Sequence, residues 1–548
     1  MHTKRKYIYL VFLLFVTLCA ASVFFVGGWQ ITDDLTFHAN RFYDLTQNIK
    51  SGVFAPYMGT TMFFGQGYPV HTFYPYLWMY PFAAIAALGI PVETMFAVFY
   101  VVLRPLAVLS AYGTAGKIIP LFCSDKNRSY RLQMLFALIY ALDPYQWYNY
   151  FSRGAVGELL VSIWLPLVFG GFFLILKQKK YGKRLLTAGM VGICYSHCLS
   201  ILLTTLVLLV LCAAKSQEIW KNKKILLNYL CCAGITAGLA MPYLAPMVKL
   251  LLSDTFLLGK NGIFYQPLEN SVPITFGVPI VISVSVCFLA LLYVIFFRRL
   301  IHRWMQFILW IIFISTDLFP WRLMNKVPLL NTIQFTHRLY AFISIVFGYL
   351  IIRSLLENKK YNRTTVTAIV ALFLLICTAV TATPLFNKCV ARGKESGTET
   401  MDVNSIGAWD YLTTKSINHF NKKTLNLSAH ELPDPLNGDT INDNARVSIA
   451  EHAGNKYYVY YTINDAKISA IQLPVLFYEG YVVQDDDGNM LDVFCSPSGL
   501  LSVTPHNLQG NLLVVYTGSI THIVAFCICG ITMLATILSI FWYKTKGV

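Results

Sequence analysis

The chain has 548 residues, of which 56% are hydrophobic, 15% aromatic and 13% charged, with a formal net charge of +16. A soluble domain carries about 25% charged residues. Half that share, with apolar runs recurring along most of the length, excludes a soluble enzyme, a disordered chain and a nucleic-acid partner, and indicates a polytopic α-helical membrane protein.

The N-terminus carries Lys4-Arg5-Lys6 before an apolar run that ends near Gly28 and is followed by Trp29. That run is nearer a full span than a signal peptide, and Trp29-Gln30 follows in the position of an interfacial anchor, so it is expected to be an uncleaved first helix with its basic end in the cytoplasm. Further spans are expected at 93–117, 131–147, 158–176, 225–250, 273–297, 304–317, 339–356, 365–386 and 520–543. The run 185–214 lies between two basic loops and must cross twice, turning near His197. The total is then about twelve crossings with both termini cytoplasmic, and every basic loop falls on the inner side. The short, Pro-rich and aromatic run 72–88 is expected to lie in the outer interface.

Residues 387–519 differ in kind. They hold 9 Lys and Arg against 15 Asp and Glu, whereas the rest of the chain holds 34 against 12. Alternating runs such as Lys456-Tyr-Tyr-Val-Tyr-Tyr-Thr462, punctuated by Asp-Gly and Pro-Ser-Gly turns, predict a small β-rich extracytoplasmic domain. The expected organisation is a transmembrane domain over 1–386 with a large first outer loop (29–92), the β-rich domain over 387–519, and a last helix with its tail over 520–548. Most of the 13 cysteines lie in apolar runs; Cys389 and Cys495 are the pair that could bridge in the polar segment.

Charges placed against membrane helices are costly, so the few present carry information. Thr32-Asp33-Asp34 leads into His38 and Arg41, and Asp34, His38 and Arg41 share a helical face. These residues read either as a capped helix start or as a general base with cations for a phosphate. Gly65-Gln-Gly-Tyr68-Pro-Val-His71-Thr-Phe-Tyr74 reads as an aromatic interfacial belt or as the wall of a groove for a lipid or sugar. Arg153 and Glu158 read as a structural ion pair or as a phosphate contact with a second acid. Arg338, in Gln334-Phe-Thr-His-Arg338, lies on the outer side, where the positive-inside rule disfavours it, and is a phosphate-binding candidate; Arg322 is a lesser one. Arg104 lies mid-span and requires a partner, and Asp143-Pro144 closes a span.

The order of these groups resembles the GT-C superfamily of integral membrane glycosyltransferases. Asp34-x-x-x-His38-x-x-Arg41, Gly67-Tyr-Pro69 with Phe73-Tyr-Pro75, Ser152-Arg153-Gly154 with Glu158, Ser196-His197, and Ile333-Gln-Phe335 with Arg338 are similar to the YfhO-like, 6-pyruvoyl-tetrahydropterin synthase-related bacterial membrane proteins, a label that implies no pterin chemistry. Such proteins often read Gln-Phe-Pro-Trp-Arg where this chain has Thr336-His337 before Arg338, and no Trp-Trp-Asp acceptor motif occurs. The resemblance implies an inverting transfer of a sugar from a polyprenyl-phosphate donor to an envelope polymer or glycolipid at the outer face of a bacterial plasma membrane. Asp34 (or Asp33) and Glu158 would be catalytic. Arg338, Arg153, Arg41 and His38 would hold the lipid phosphate, with Tyr68, His71, Tyr74, His197 and Gln334 lining the groove. A divalent cation (Mg or Mn) at Asp34 and Glu158 is compatible with the family, whose members differ in metal use. The competing readings are a flippase for lipids or lipid-linked sugars and a non-catalytic scaffold that binds wall polymer.

Overall fold

The structure, a computed structural model, describes residues 2–25, 32, 34–257, 333–357, 411–416, 442–465 and 467–545, together with isolated positions between 306 and 326 and residue 387. Five of the described helices are long and apolar enough to cross a membrane: Tyr7–Phe25, Val92–Leu121, Val156–Leu176, Lys223–Ser253 and Ile520–Trp542. This is a multi-pass membrane protein. The spans expected at 273–297, 304–317 and 365–386 fall wholly or mostly outside the described residues, so the count of twelve rests on the sequence.

The chain divides into two compact units, one of 1–35, 97–236 and 259–399, the other of 36–96, 237–258 and 400–548. In the first, the apolar run 185–214 is two helices, Gly182–Cys194 and Cys198–Ala214, separated at Tyr195–His197. The first of them lies tightly against Val156–Leu176. A Cβ added at Gly171 would fall 2.2 Å from the Leu186 nitrogen, and one at Gly192 would fall 2.1 Å from the Trp164 ring. Two glycines thus set how closely the helices approach.

The expected span 131–147 is broken. Its helix runs Lys126–Ala141, and Asp143 then caps a separate short helix, Pro144–Tyr148, by accepting the Tyr145 N–H at 3.0 Å. Proline cannot continue the ladder, whereas it suits a first helical position. The carbonyls left at the end of Lys126–Ala141 are met by Arg104, fully buried, which donates to Tyr140 O at 3.2 Å and Ala141 O at 3.1 Å and lies over the Trp147 ring. Arg104 therefore finds its mid-span partner in a helix C-terminus.

The second unit joins 36–96 to the strands. Among the described residues eight strands lie between Ala445 and Tyr516: β1 (Ala445–Ala453), β2 (Lys456–Ile463), β3 (Ile471–Leu476), β4 (Tyr481–Asp485), β5 (Met490–Leu491), β6 (Val493–Cys495), β7 (Leu500–Val503) and β8 (Gln509–Tyr516). They form a five-stranded sheet of order β1-β2-β8-β4-β5 and a three-stranded sheet of order β3-β7-β6. Strand β2 (Lys456–Ile463) shows the alternation legible in its sequence: Tyr457, Val459, Tyr461 and Ile463 are buried, while Lys456, Tyr458 and Tyr460 are exposed. The inward residues do not close a core alone. They share one with Met58, Met62, Phe63, Tyr68 and Phe73 and with Leu250 and Phe256. The run 72–88 is interrupted at Tyr74-Pro75 into Val70–Phe73 and Tyr80–Ala87, each too short to span.

Candidate functional site

In the first unit, Val156–Leu176 begins two residues before Glu158, which puts that carboxylate in the first turn, where a negative charge meets the positive end of the helix. Glu158 is buried and fully engaged. Its Oε1 accepts from Arg153 Nη1 at 2.7 Å and from Arg338 Nε at 3.1 Å; its Oε2 accepts from Tyr145 OH at 2.5 Å and Asn149 Nδ2 at 3.1 Å. One acid thus gathers a guanidinium five residues away and another 180 residues away in the chain. Both guanidiniums also face the Phe335 ring, at 5.5 Å for Arg153 and 5.2 Å for Arg338. Burial alone would lower the Arg153 pKa, but the Glu158 carboxylate more than reverses this and holds it above the ordinary arginine value.

Arg153 reaches a second acid. Its Nη2 lies 3.3 Å from Asp34 Oδ2. The exposures differ sharply: the side chains of Arg153, Glu158 and Arg338 are 7–8% exposed, whereas that of Asp34 is 43% exposed. Asp34 is therefore the carboxylate of the group that a substrate can approach. The segment is fixed by its backbone as well, since Asp34 N donates to Arg153 O at 2.7 Å. Arg153 ends a wide π-type turn, Asn149–Arg153, and Gly154 follows in the left-handed region at φ 66°. A Cβ at Gly154 would fall 2.2 Å from Thr32 Oγ1 and 2.6 Å from Leu35 Cβ. Glycine is required there for both reasons.

Two further residues of the sequence reading belong to this unit. Gln334, at φ 58°, accepts from Arg338 Nη1 at 3.1 Å through Oε1. His197 is buried, with Nδ1 2.9 Å from Ser200 Oγ at the start of Cys198–Ala214. Asp33 lies outside the described residues, as does Cys389.

The others belong to the second unit, where protein groups engage them. Arg41 is buried; it donates to Tyr74 O at 3.0 Å and Pro75 O at 2.9 Å, meets His38 Nδ1 at 3.0 Å and lies 4.1 Å over the Tyr74 ring. These contacts make it a clamp on the kink at Tyr74-Pro75. His71 Nε2 lies 2.6 Å from Asp44 Oδ2, both side chains fully buried. Tyr68 is buried against Phe63 and Tyr411.

Sequence reasoning missed Tyr145, Asn149 and Asp44. The first two lie four residues apart, on one helical face upstream of Arg153. That spacing was the available signal, hidden by the aromatic composition around it. His337 adds a buried imidazole beside Tyr145 and Phe335; burial, with Arg153 and Arg338 nearby, pushes its pKa down to about 3, so it is neutral at physiological pH.

A divalent cation between Asp34 and Glu158 would have to displace Arg153, whose guanidinium bridges them. Among the described residues no three His, Cys, Asp or Glu side chains converge as a metal site. As placed, the pair is an arginine site rather than a cation site.

No protein-family model matches the sequence. No curated protein matches it either. Among solved structures it is similar to the arabinofuranosyltransferase AftD from mycobacteria, seen by single-particle cryo-EM, with 14% identity and a TM-score of 0.43 over 70% of this chain and 27% of that one. At that score and coverage the likeness assigns neither fold nor activity.

Proposed function

We propose that the protein is a GT-C-type membrane glycosyltransferase that moves a sugar from a polyprenyl-phosphate donor to an envelope polymer or glycolipid at the outer face of a bacterial plasma membrane. The observation that supports this reading best is the pairing of Arg153 and Arg338 on one buried oxygen of Glu158, beside the half-exposed carboxylate of Asp34. The two guanidiniums are held beside a buried acid and a reachable one, and a guanidinium's fork suits phosphate oxygens.

In this reading Asp34 takes the proton from an acceptor hydroxyl as its oxygen attacks the anomeric carbon. The bond from that carbon to the lipid phosphate oxygen breaks in the same step, with inversion, and the polyprenyl phosphate leaves with the electron pair. Arg153 and Arg338 meet the charge developing on the leaving phosphate. Glu158, with both oxygens occupied, is a positioning residue that aims the two guanidiniums.

The test uses purified full-length protein with a polyprenyl-phosphate sugar and follows release of the lipid phosphate with glycosylation of an acceptor. A parallel compositional analysis of envelope polymers and glycolipids from a deletion strain names the sugar. Loss of one sugar from the envelope together with transfer in vitro is the expected result; an unchanged envelope and no transfer with any polyprenyl-phosphate sugar would reject the reading.

A further inference from the structure

The first unit holds a second feature that the carboxylate-arginine group does not use. A cavity of about 510 Å³ opens among the helices Val92–Ile118, Val156–Leu176, Cys198–Ala214 and Ile343–Glu357. Its walls are apolar, with Phe136, Phe169, Phe173, Leu211 and Val346 among them, and Lys177, Lys215 and Arg353 also line it. From Glu158 to Lys177 the intervening helix rises by about 28 Å at 1.5 Å per residue, close to the thickness of a bilayer's hydrocarbon core. The cavity therefore lies at the opposite membrane face from Asp34 and Glu158. Trp220, in the short segment after Lys215, is 72% exposed, as an interfacial anchor would be.

We propose that this cavity binds an anionic phospholipid, with one acyl chain between the helices and the phosphate on Lys177, Lys215 and Arg353. Each cation stands in or just after the last turns of its helix, where it complements the helix dipole. That role explains each one singly, but not why three converge on an apolar chamber. A soluble anion has no use for the chamber, and a neutral lipid has none for the cations; an anionic lipid uses both. Basic pockets between membrane helices bind such head groups. Among the described residues, Lys215 pairs with Glu218 at 2.7 Å, and both partners are more than a third exposed. An exposed pair of this kind holds little energy and yields readily to a phosphate.

The test is native mass spectrometry of the full chain in detergent, titrated with phosphatidylglycerol or phosphatidylcholine of the same chains. The expected result is a clear preference for phosphatidylglycerol, reduced roughly tenfold or more when Lys177, Lys215 and Arg353 are all changed to Gln. A control carrying Lys221→Gln, Lys223→Gln and Lys224→Gln should keep the preference. Val346→Trp, which fills the chamber, should weaken both lipids, and its melting temperature in detergent shows whether it is folded. Equal affinity for the two lipids, an equal loss in the control, or displacement of the lipid by inorganic phosphate at its own affinity would overturn the proposal. Because none of these readouts requires sugar transfer, its failure is separate from failure of the glycosyltransferase reading.

Discussion

Glu158 and Asp44 are both buried carboxylates saturated with hydrogen bonds, yet their surroundings differ. Asp44 takes its donors from a short stretch of chain: Asn48 Nδ2, the Thr60 and Thr61 N–H groups, the Thr61 hydroxyl, and His71. The result is a closed staple that ties the helix Leu35–Lys50 to Thr60, Thr61 and His71. Glu158 instead draws Arg153 and Arg338 from far apart, and Arg153 continues to an acid at the surface. A buried carboxylate with a cation is thus no mark of a site. What separates the two is a neighbouring carboxylate that a substrate can reach.

The comparison is broken most severely at Glu158. Glu158→Gln should leave two guanidiniums without their counter-charge, cost about 3–5 kcal/mol of stability and abolish transfer; unfolding in detergent and the transfer assay read the two losses. A variant with full transfer would show that Glu158 does not position the arginines. Asp34→Asn removes proton affinity and keeps the shape. Transfer should fall about 10²–10⁴-fold, with expression and melting temperature unchanged. Wild-type turnover would exclude Asp34 as the base and direct attention to Asp33.

Arg338→Lys keeps a charge but not the fork that spans Glu158, Ile333 O and Gln334. A loss of roughly ten- to a hundredfold in kcat/KM for the lipid-phosphate donor is expected, measured against donors of different chain length. Asp44→Asn should do the converse of Asp34→Asn. It should destabilise by about 1–3 kcal/mol, as unsatisfied buried partners do, while turnover per folded molecule stays the same. A turnover loss with intact stability would move Asp44 into the site.

The smallest effect concerns acid. Burial raises the Asp44 pKa, but the His71 and Thr61 interactions outweigh it and hold the carboxyl below its ordinary value of 3.8. A group depressed on folding stabilises fully above its unfolded pKa and loses that contribution as pH falls through the folded one. Melting curves should therefore show a contribution that is constant above about pH 4 and declines below it, and Asp44→Asn should flatten that decline.

Hydropathy was enough to place the helices Val92–Ile118, Val156–Leu176, Lys223–Ser253 and Ile520–Thr545, since a span must be apolar over its whole length. Alternation was enough for Lys456–Ile463, because one face of a strand is buried and the other is not. The break at Asp143-Pro144 was legible as a stop, but its use as the cap of a new helix was not. Asp34, Arg153, Glu158 and Arg338 each stood out because charge beside an apolar run is expensive. The sequence also singled out Arg41 and His71, which are engaged by the Tyr74 and Pro75 carbonyls and by Asp44.

What the sequence determined by itself is therefore local and periodic: which runs can cross a membrane, which can form strands, and which residues are costly where they stand. Tertiary structure decided who meets whom. Arg153 and Arg338 share an oxygen of Glu158, and Met58, Met62, Phe63, Tyr68 and Phe73 complete the core of the strands, through contacts between residues far apart in the chain. Periodicity carries no information about such pairs, because each charge has several possible partners and packing selects among them by burial and geometry.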